Sequence, residues 1–446
     1  MARKLFGTDG VRGVAGEFLT AELALALARA ATAGARERGT SRPRVLVIRD
    51  TRESGEMLES AVAAGVAAAG GEALLGGVLP TPAAPLLLRA YGLDLAAVLS
   101  ASHNPYEDNG IKFFGPDGFK LSDDAELAIE AALERPATPT RAVGRIRALH
   151  GTREDYLRAL QARFAGLDLD GRDVVVDCAH GATVHVAPEA FRRLGAKVTP
   201  MAVEPDGRNI NAGCGSTHLG PLTDAVRAGG HDLGFAFDGD GDRVLAVDRT
   251  GTVVDGDELL ALAALHLREA GRLPGGGVTV TVMTNYGFHT AMREAQIEVA
   301  TTKVGDRYVL EELRARGWAL GGEQSGHIIE MGFNATGDGI ASALLTREAL
   351  AGRDLAERGA MRKLPQRLVN VRVADRDAVM ASRELEAATE REGEALAGRG
   401  RVLVRPSGTE PVVRVMVEAP DDEEADEVTA RLVAVVEGVG NRFAIP

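Results

Sequence analysis

Asp238, Asp240 and Asp242 alternate with glycines and are followed by Arg243, so one short loop offers three carboxylates that can converge on a point. Hard oxygen ligands at this spacing suit Mg²⁺, which takes few protein ligands and prefers phosphate oxygen as a partner. An EF-hand calcium loop opens similarly, but its sixth and twelfth positions call for Gly and Glu, where this chain has Arg243 and Arg249. A second reactive stretch, Ala101-Ser102-His103-Asn104-Pro105, follows the apolar run Leu95 to Leu99. A serine in a proline-closed loop after a buried strand stands at the carboxyl edge of a sheet, where open α/β folds bind ligands. Ser102 is therefore the candidate nucleophile.

Other loops carry complementary chemistry. Arg405-Pro406-Ser407-Gly408-Thr409-Glu410-Pro411, with Arg414 just beyond, supplies hydroxyl, backbone and guanidinium donors that suit a phosphate. Phe6-Gly7-Thr8-Asp9-Gly10-Val11-Arg12-Gly13 reads as a short polar loop in which glycines let amides approach a ligand and Arg12 can grip a phosphate. Lysine is scarce, at positions 4, 112, 120, 197, 303 and 363. Lys112, close to the Ser102 loop, is the one read as chemical, because an ammonium can give up a proton when its pKa is depressed. The other five read as solubilising surface charges.

The elements that must position these loops repeat. Strand, helix, strand, helix, strand, loop and return strand run from Val45 to Phe114 and recur from Val174 to Val247 and from Val278 to Met331. In each copy the polar loop follows the third strand: the Ser102 loop, the aspartate loop, and Gly322-Glu323-Gln324-Ser325-Gly326-His327. Repeated units with loops at one ordinal position can converge on one cleft. From Leu368 the pattern changes to strand, a helix over 378–395, strand, loop, strand and a long helix. The expected fold is thus three similar α/β domains with mixed sheets and flanking helices (1–150, 151–255 and 256–366), then a smaller α+β domain (367–446), around a central cleft.

Composition narrows the class. With 446 residues, 45% hydrophobic but only 4% aromatic, the chain suits globular domains packed through small side chains. A net charge of -13 argues against a nucleic-acid partner, while leaving room for local arginine clusters. Cys178 and Cys214 are too few for a four-cysteine zinc site and suggest no disulfide framework. The opening residues have no apolar h-region behind them and no run is long enough to span a bilayer, so a cytoplasmic protein with no membrane partner is expected.

Taken in order, the loops at 101–105, 238–243, 322–327 and 405–411 resemble those of the α-D-phosphohexomutase superfamily over nearly the whole chain. The opening 6–13 stretch, Gln324, and the run Thr302-Lys303-Val304-Gly305-Asp306-Arg307-Tyr308-Val309 look most like the bacterial members that act on glucosamine phosphate. The resemblance implies reversible conversion of glucosamine 6-phosphate to glucosamine 1-phosphate, on the route to UDP-N-acetylglucosamine for the cell wall. It implies a phosphoserine at Ser102, one Mg²⁺ per chain held by Ser102, Asp238, Asp240 and Asp242, and a sugar 1,6-bisphosphate as activator. Arg12, Lys112 and His327 match positions with acid-base and electrostatic roles. Glu323 and Ser325 match the pair that grips sugar hydroxyls, and Arg405, Ser407, Gly408, Thr409 and Arg414 match the region that holds the non-reacting phosphate. A homodimer stays open.

Three other readings use the same residues. A phosphatase of the haloacid dehalogenase kind would make Asp238 the nucleophile, leaving the Ser102 loop idle and placing phosphate on aspartate. A sugar-phosphate sensor would bind without turnover. Phosphomannomutase or phosphoglucomutase activity differs only in the sugar's C2 substituent, which no motif fixes.

Overall fold

The computed structural model describes residues 4–7, 9–135, 143–407 and 410–442. The chain divides into two compact units, Met1–Val282 with Glu298–Arg358, and Met283–Ile297 with Gly359–Pro446.

The first unit begins with β1 (Val11–Val14), α1 (Ala21–Glu37), β2 (Arg44–Arg49), α2 (Ser54–Ala68), β3 (Glu72–Val78), α3 (Ala83–Tyr91), β4 (Leu95–Leu99), β5 (Asp108–Phe114), α4 (Asp123–Leu133) and β6 (Arg145–Ala148). It continues with α5 (Thr152–Arg163), β7 (Asp173–Asp177), α6 (Ala187–Arg193), β8 (Lys197–Met201), α7 (Gly220–Gly229), β9 (Leu233–Phe237), β10 (Val244–Asp248), β11 (Val253–Val254), α8 (Gly256–Glu269) and β12 (Gly277–Thr281). After α9 (Tyr286–Glu294), which belongs to the second unit, come β13 (Glu298–Thr302), α10 (Asp306–Arg316), β14 (Leu320–Gly322), β15 (Ile328–Glu330) and α11 (Gly339–Leu350).

Three sheets share one topology. Their orders are β1-β5-β4-β2-β3-β6, β11-β10-β9-β7-β8 and β13-β12-β14-β15. In each, the third strand of the repeat lies parallel to the first and antiparallel to the strand that returns from the reactive loop. The repetition expected from the apolar runs is therefore present in the hydrogen bonding. β4 and β9 are buried along their whole length, which is why both read as continuous apolar runs instead of alternating ones. Helix starts follow local chemistry, as where Thr20 accepts from the Leu23 amide and Ser122 from that of Ala125.

One expectation changes in this unit. The stretch read as a polar loop at 6–13 ends in strand β1, with Val11 opposite Ile111 and Arg12 opposite Gly110 in antiparallel register with β5. A four-residue strand containing Arg12 and Gly13 has too little apolar alternation to be read in advance; Val11, fully buried, provides its anchor.

The second unit holds α9, β16 (Gln366–Arg372), α12 (Arg376–Met380), α13 (Arg383–Ala395), β17 (Arg401–Pro406), β18 (Val412–Glu418) and α14 (Asp422–Arg442). Its sheet order is β16-β18-β17, wholly antiparallel, with α13 and α14 contributing Leu385, Val428 and Leu432 to one core. The single helix expected over 378–395 is two: Asp375 caps the first through the amides of Asp377 and Ala378, and extended backbone at Ser382 starts the second.

Candidate active site

Two of the repeated loops meet at Ser102. Its Oγ donates to Asp238 Oδ2 at 2.5 Å, and its backbone occupies the left-handed region at φ 53°. That conformation costs an L-residue roughly 1–2 kcal/mol, so something must hold it. The holder is Arg52. Its guanidinium, fully buried, donates to the carbonyls of Ser102 at 3.0 Å, Asn104 at 2.8 Å and Asp108 at 2.9 Å, and also to that of Pro105. Asp50 balances the charge through Arg52 Nε at 2.9 Å and accepts from Ser100 Oγ at 2.6 Å, which in turn accepts the Ser102 amide. From the segment between β8 and α7, Asn211 Nδ2 adds bonds to the carbonyls of Ser102 and Asn104. Gly239 must be glycine here, since a Cβ would come 2.5 Å from the Ser102 carbonyl oxygen.

The three aspartates converge as their spacing suggests. Their carboxylates offer oxygens within 4.8 Å of one another, all three residues are buried, and Oδ1 of both Asp240 and Asp242 accepts no hydrogen bond, although Arg243 Nε lies 3.9 Å from that of Asp242. Burial raises Asp238 well above the usual carboxylate range, and the neighbouring charges of Asp240 and Asp242 push it further. Asp242 rises for the same two reasons, with Asp240 as the repelling neighbour. Asp240 goes the other way: burial opposes its charge, but Lys112 at 2.8 Å and the Thr81 hydroxyl at 2.7 Å hold it low. Crowded carboxylates with bare, buried lone pairs fit a hard divalent cation.

Lys112, from β5, lies 3.1 Å from Asp9 and 3.8 Å from Asp242 in addition to Asp240. Burial disfavours its ammonium, yet these three carboxylates outweigh it and the pKa is raised. The depressed pKa that would make Lys112 a ready proton acceptor is absent. Arg12 pairs with Asp9 and reaches toward the Ala101 carbonyl. Lys120, expected on the surface, is instead largely buried between Asp9 and Asp306.

The third loop joins the second directly. Arg243 and His327 form an antiparallel bridge, and the Val244 amide donates to the Gly326 carbonyl. Gly326, at φ +90°, admits this approach because a Cβ would sit 2.1 Å from the Val244 oxygen. His327 is buried; its Nε2 accepts from the Gly337 amide at 3.3 Å and lies 3.9 Å from both Asp242 and Asp306, while Nδ1 has no partner. Glu323 accepts from the Gly305 amide through Oε1 at 2.9 Å, and Ser325 is exposed. Ser102, Arg12, Lys112, His327 and the aspartates are thus linked by contacts in the first unit.

In the second unit, Arg405 and Arg414 stand opposite each other across β17 and β18. Arg414 reaches Ser407 Oγ at 3.4 Å and Glu410 at 3.6 Å, its Nε is buried and makes no hydrogen bond, and among the described residues no carboxylate pairs with Arg405. Burial lowers the Arg405 pKa, with the Arg414 charge adding to the effect. Paired guanidiniums of this kind favour an anion. Gly408 and Thr409 lie outside the described residues.

Sequence reasoning missed Asp50, Arg52, Ser100, Asn211, Thr81 and Asp9. The one available signal was position, since Asp50 and Arg52 follow a parallel strand at the same carboxyl edge as the loops.

Comparison with known proteins agrees with this architecture. Four profiles described as phosphoglucomutase/phosphomannomutase match: alpha/beta/alpha domain I at residues 3–139, domain II at 154–251, domain III at 255–368 and the C-terminal domain at 368–435. A phosphoglucosamine mutase of Moorella thermoacetica is 52% identical over 446 residues, covering 98% of this chain and 100% of that protein. Among solved structures, a phosphoglucomutase/phosphomannomutase family protein of Burkholderia thailandensis aligns with a TM-score of 0.84 at 25% identity, covering 98% of each chain. The N-acetylphosphoglucosamine mutase of Aspergillus fumigatus, in complex with GlcNAc-6P and magnesium, aligns with a TM-score of 0.68 at 19% identity, covering 98% of this chain and 96% of that one, a likeness of fold. With four profiles in order and a full-length relative at this identity, the chain belongs to the phosphoglucomutase/phosphomannomutase family.

Proposed function

We infer that the chain interconverts glucosamine 6-phosphate and glucosamine 1-phosphate, the activity of a phosphoglucosamine mutase, with Ser102 as phosphoryl carrier. The observation that carries this reading is the contact of Ser102 Oγ with Asp238 inside a cluster of three carboxylates. The sugar comes from the full-length relatives named for that activity. The same reading divides the chain at 150, 255 and 366 into four domains.

Phosphoserine 102 would pass its phosphoryl group to the free sugar hydroxyl. The Oγ–P bond breaks, a P–O bond to the sugar forms, and the sugar hydroxyl's proton ends on the freed Ser102 Oγ, giving a 1,6-bisphosphate and an unmodified serine. After the intermediate turns, Ser102 Oγ takes the other phosphoryl group and the proton returns to the freed oxygen. Such transfers depend chiefly on alignment and charge neutralisation. Mg²⁺ bound by Asp238, Asp240, Asp242 and the phosphoserine would neutralise charge on the transferring group. Lys112, held as an ammonium, suits the same electrostatic task, as does Arg12. His327, whose Nε2 accepts the Gly337 amide and lies 3.9 Å from Asp242 and Asp306, is the third candidate for acid-base work. Arg405, Ser407, Gly408, Thr409 and Arg414 would take the phosphate that is not reacting. A sugar 1,6-bisphosphate would prime Ser102.

Side-by-side assay of glucosamine, glucose and mannose 6-phosphates with Mg²⁺ and a bisphosphate primer tests the sugar. Glucosamine 6-phosphate is expected to give the highest kcat/KM; a preference for mannose or glucose would move the chain to the neighbouring activities. Glu323→Ala should lower kcat/KM by about 100-fold, because a carboxylate fixed by the Gly305 amide orients the sugar. Unchanged kinetics would refute that role. Arg52→Lys keeps the charge but loses the planar fork that serves four carbonyls. Its kcat should fall by roughly 10- to 100-fold, and a wild-type kcat would show that the loop holds itself.

A further inference from the structure

Six side chains close a ring beside Ser102. Going round it, Lys112 lies 3.1 Å from Asp9, Asp9 2.5 Å from Lys120, and Lys120 2.5 Å from Asp306. Asp306 lies 3.9 Å from His327, His327 3.9 Å from Asp242, and Asp242 3.8 Å from Lys112. Carboxylates alternate with lysines or the histidine all the way round. The members come from six places in the chain: the segment before β1, β5, the turn after β5, the aspartate loop, the first residue of α10 and the loop before β15.

We propose that Lys120 and Asp306 are positioning residues of the mutase reaction, whose ion pair ties Asp9, and through it Lys112 and Arg12, to His327 at a fixed spacing. The proposal rests on the mutase reading above. Among the described residues, Lys120 is the one lysine or arginine within ion-pair distance of Asp306, and it also grips Asp9. Without it, Asp306 is left facing His327, and Asp9 is left to Lys112 and Arg12. Both changes would reach groups around Ser102. The surroundings are built to hold the pair in register. Asp306 opens α10, where a carboxylate is favoured by the helix dipole. The next residue, Arg307, reaches Asp123 and Glu126, and the Arg314 guanidinium lies 4.2 Å from the centre of the Phe119 ring. Helix α10 thus docks on the segment that carries Lys120 at three successive points. Largely buried ion pairs contribute little net stability compared with apolar packing, so an ion pair at this joint is better explained by the geometry it imposes.

The test compares Lys120→Met, Asp306→Asn, the double variant and Lys120→Arg with the wild-type enzyme, measuring kcat and KM for glucosamine 6-phosphate and thermal midpoints. Each single loss should lower kcat by about 10- to 100-fold with KM changed by no more than about threefold. Lys120→Arg should recover most of the rate. Because the two residues act as one unit, the double variant should be little worse than the poorer single one. The rate of Ser102 phosphorylation by glucose 1,6-bisphosphate, followed by intact mass, should fall in parallel. Wild-type kcat in the single variants, whatever their thermal midpoints, would overturn the proposal, as would a double loss equal to the product of the singles. Should Lys120→Met fail to fold, the nearly isosteric Asp306→Asn carries the same comparison. An inactive wild-type enzyme would overturn the mutase reading and this inference with it, whereas an active wild type matched by its variants overturns this inference alone.

Discussion

Ser102→Ala should fold normally and turn over no substrate, a loss of about 10⁴-fold or more in kcat. The fold survives because the loop is held by its main chain. The carbonyls of Ser102, Asn104, Pro105 and Asp108 go to Arg52, with Asn211 sharing two of them, and none of these bonds uses the hydroxyl. Alanine also carries a Cβ, so the left-handed backbone at φ 53° is no more strained than with serine. What disappears is the oxygen that takes and returns phosphate. Intact mass after incubation with glucose 1,6-bisphosphate should show one added phosphoryl group on the wild-type chain and none on the variant. Turnover near the wild-type rate would remove Ser102 from the mechanism. A phosphatase working through Asp238 would instead retain its phosphoenzyme in this variant.

The second large effect concerns the carboxylate cluster. A chelator should abolish activity, and added Mg²⁺ should restore it. Magnesium at about 100 times its dissociation constant should stabilise the wild-type fold by about 2.7 kcal/mol, read as a rise in thermal midpoint. Asp238→Asn separates function from stability. Without a cation, Asp238 is buried beside two like charges, so a neutral isostere relieves repulsion and the metal-free variant should melt at or above the wild-type temperature. It loses a hard anionic ligand at the same time. Its magnesium-dependent rise should shrink or vanish, and kcat should fall by about 10³-fold. A variant that kept both the full magnesium response and its activity would show that the cluster holds no catalytic cation.

Much of the architecture was legible because the signals were local. Continuous apolar runs such as Leu95 to Leu99 and Leu233 to Phe237 announce strands buried on both faces, and the glycine and aspartate punctuation after them announces loops. Short or polar elements were not legible. β1 carries Arg12 and Gly13 and has meaning only beside β5, and the break between α12 and α13 depends on a capping side chain and one extended residue. The candidate site divides in the same way.

The amino-acid sequence by itself determined which groups are reactive: a serine after a buried strand, three aspartates at alternate positions, and arginines grouped with hydroxyls. Their chemistry follows from residue type and near-neighbour spacing, which the chain carries whether folded or not. Only the tertiary structure decided their neighbours and charge states. Lys112 is separated by 103 residues from Asp9 and by 128 from Asp240, yet those contacts keep its proton in place. Arg52 and Lys120 look in sequence like any other surface cation, and burial beside carbonyls or carboxylates turns them into fasteners. Coulomb and desolvation terms act through space, over a few ångströms, and distance along the chain gives no measure of that.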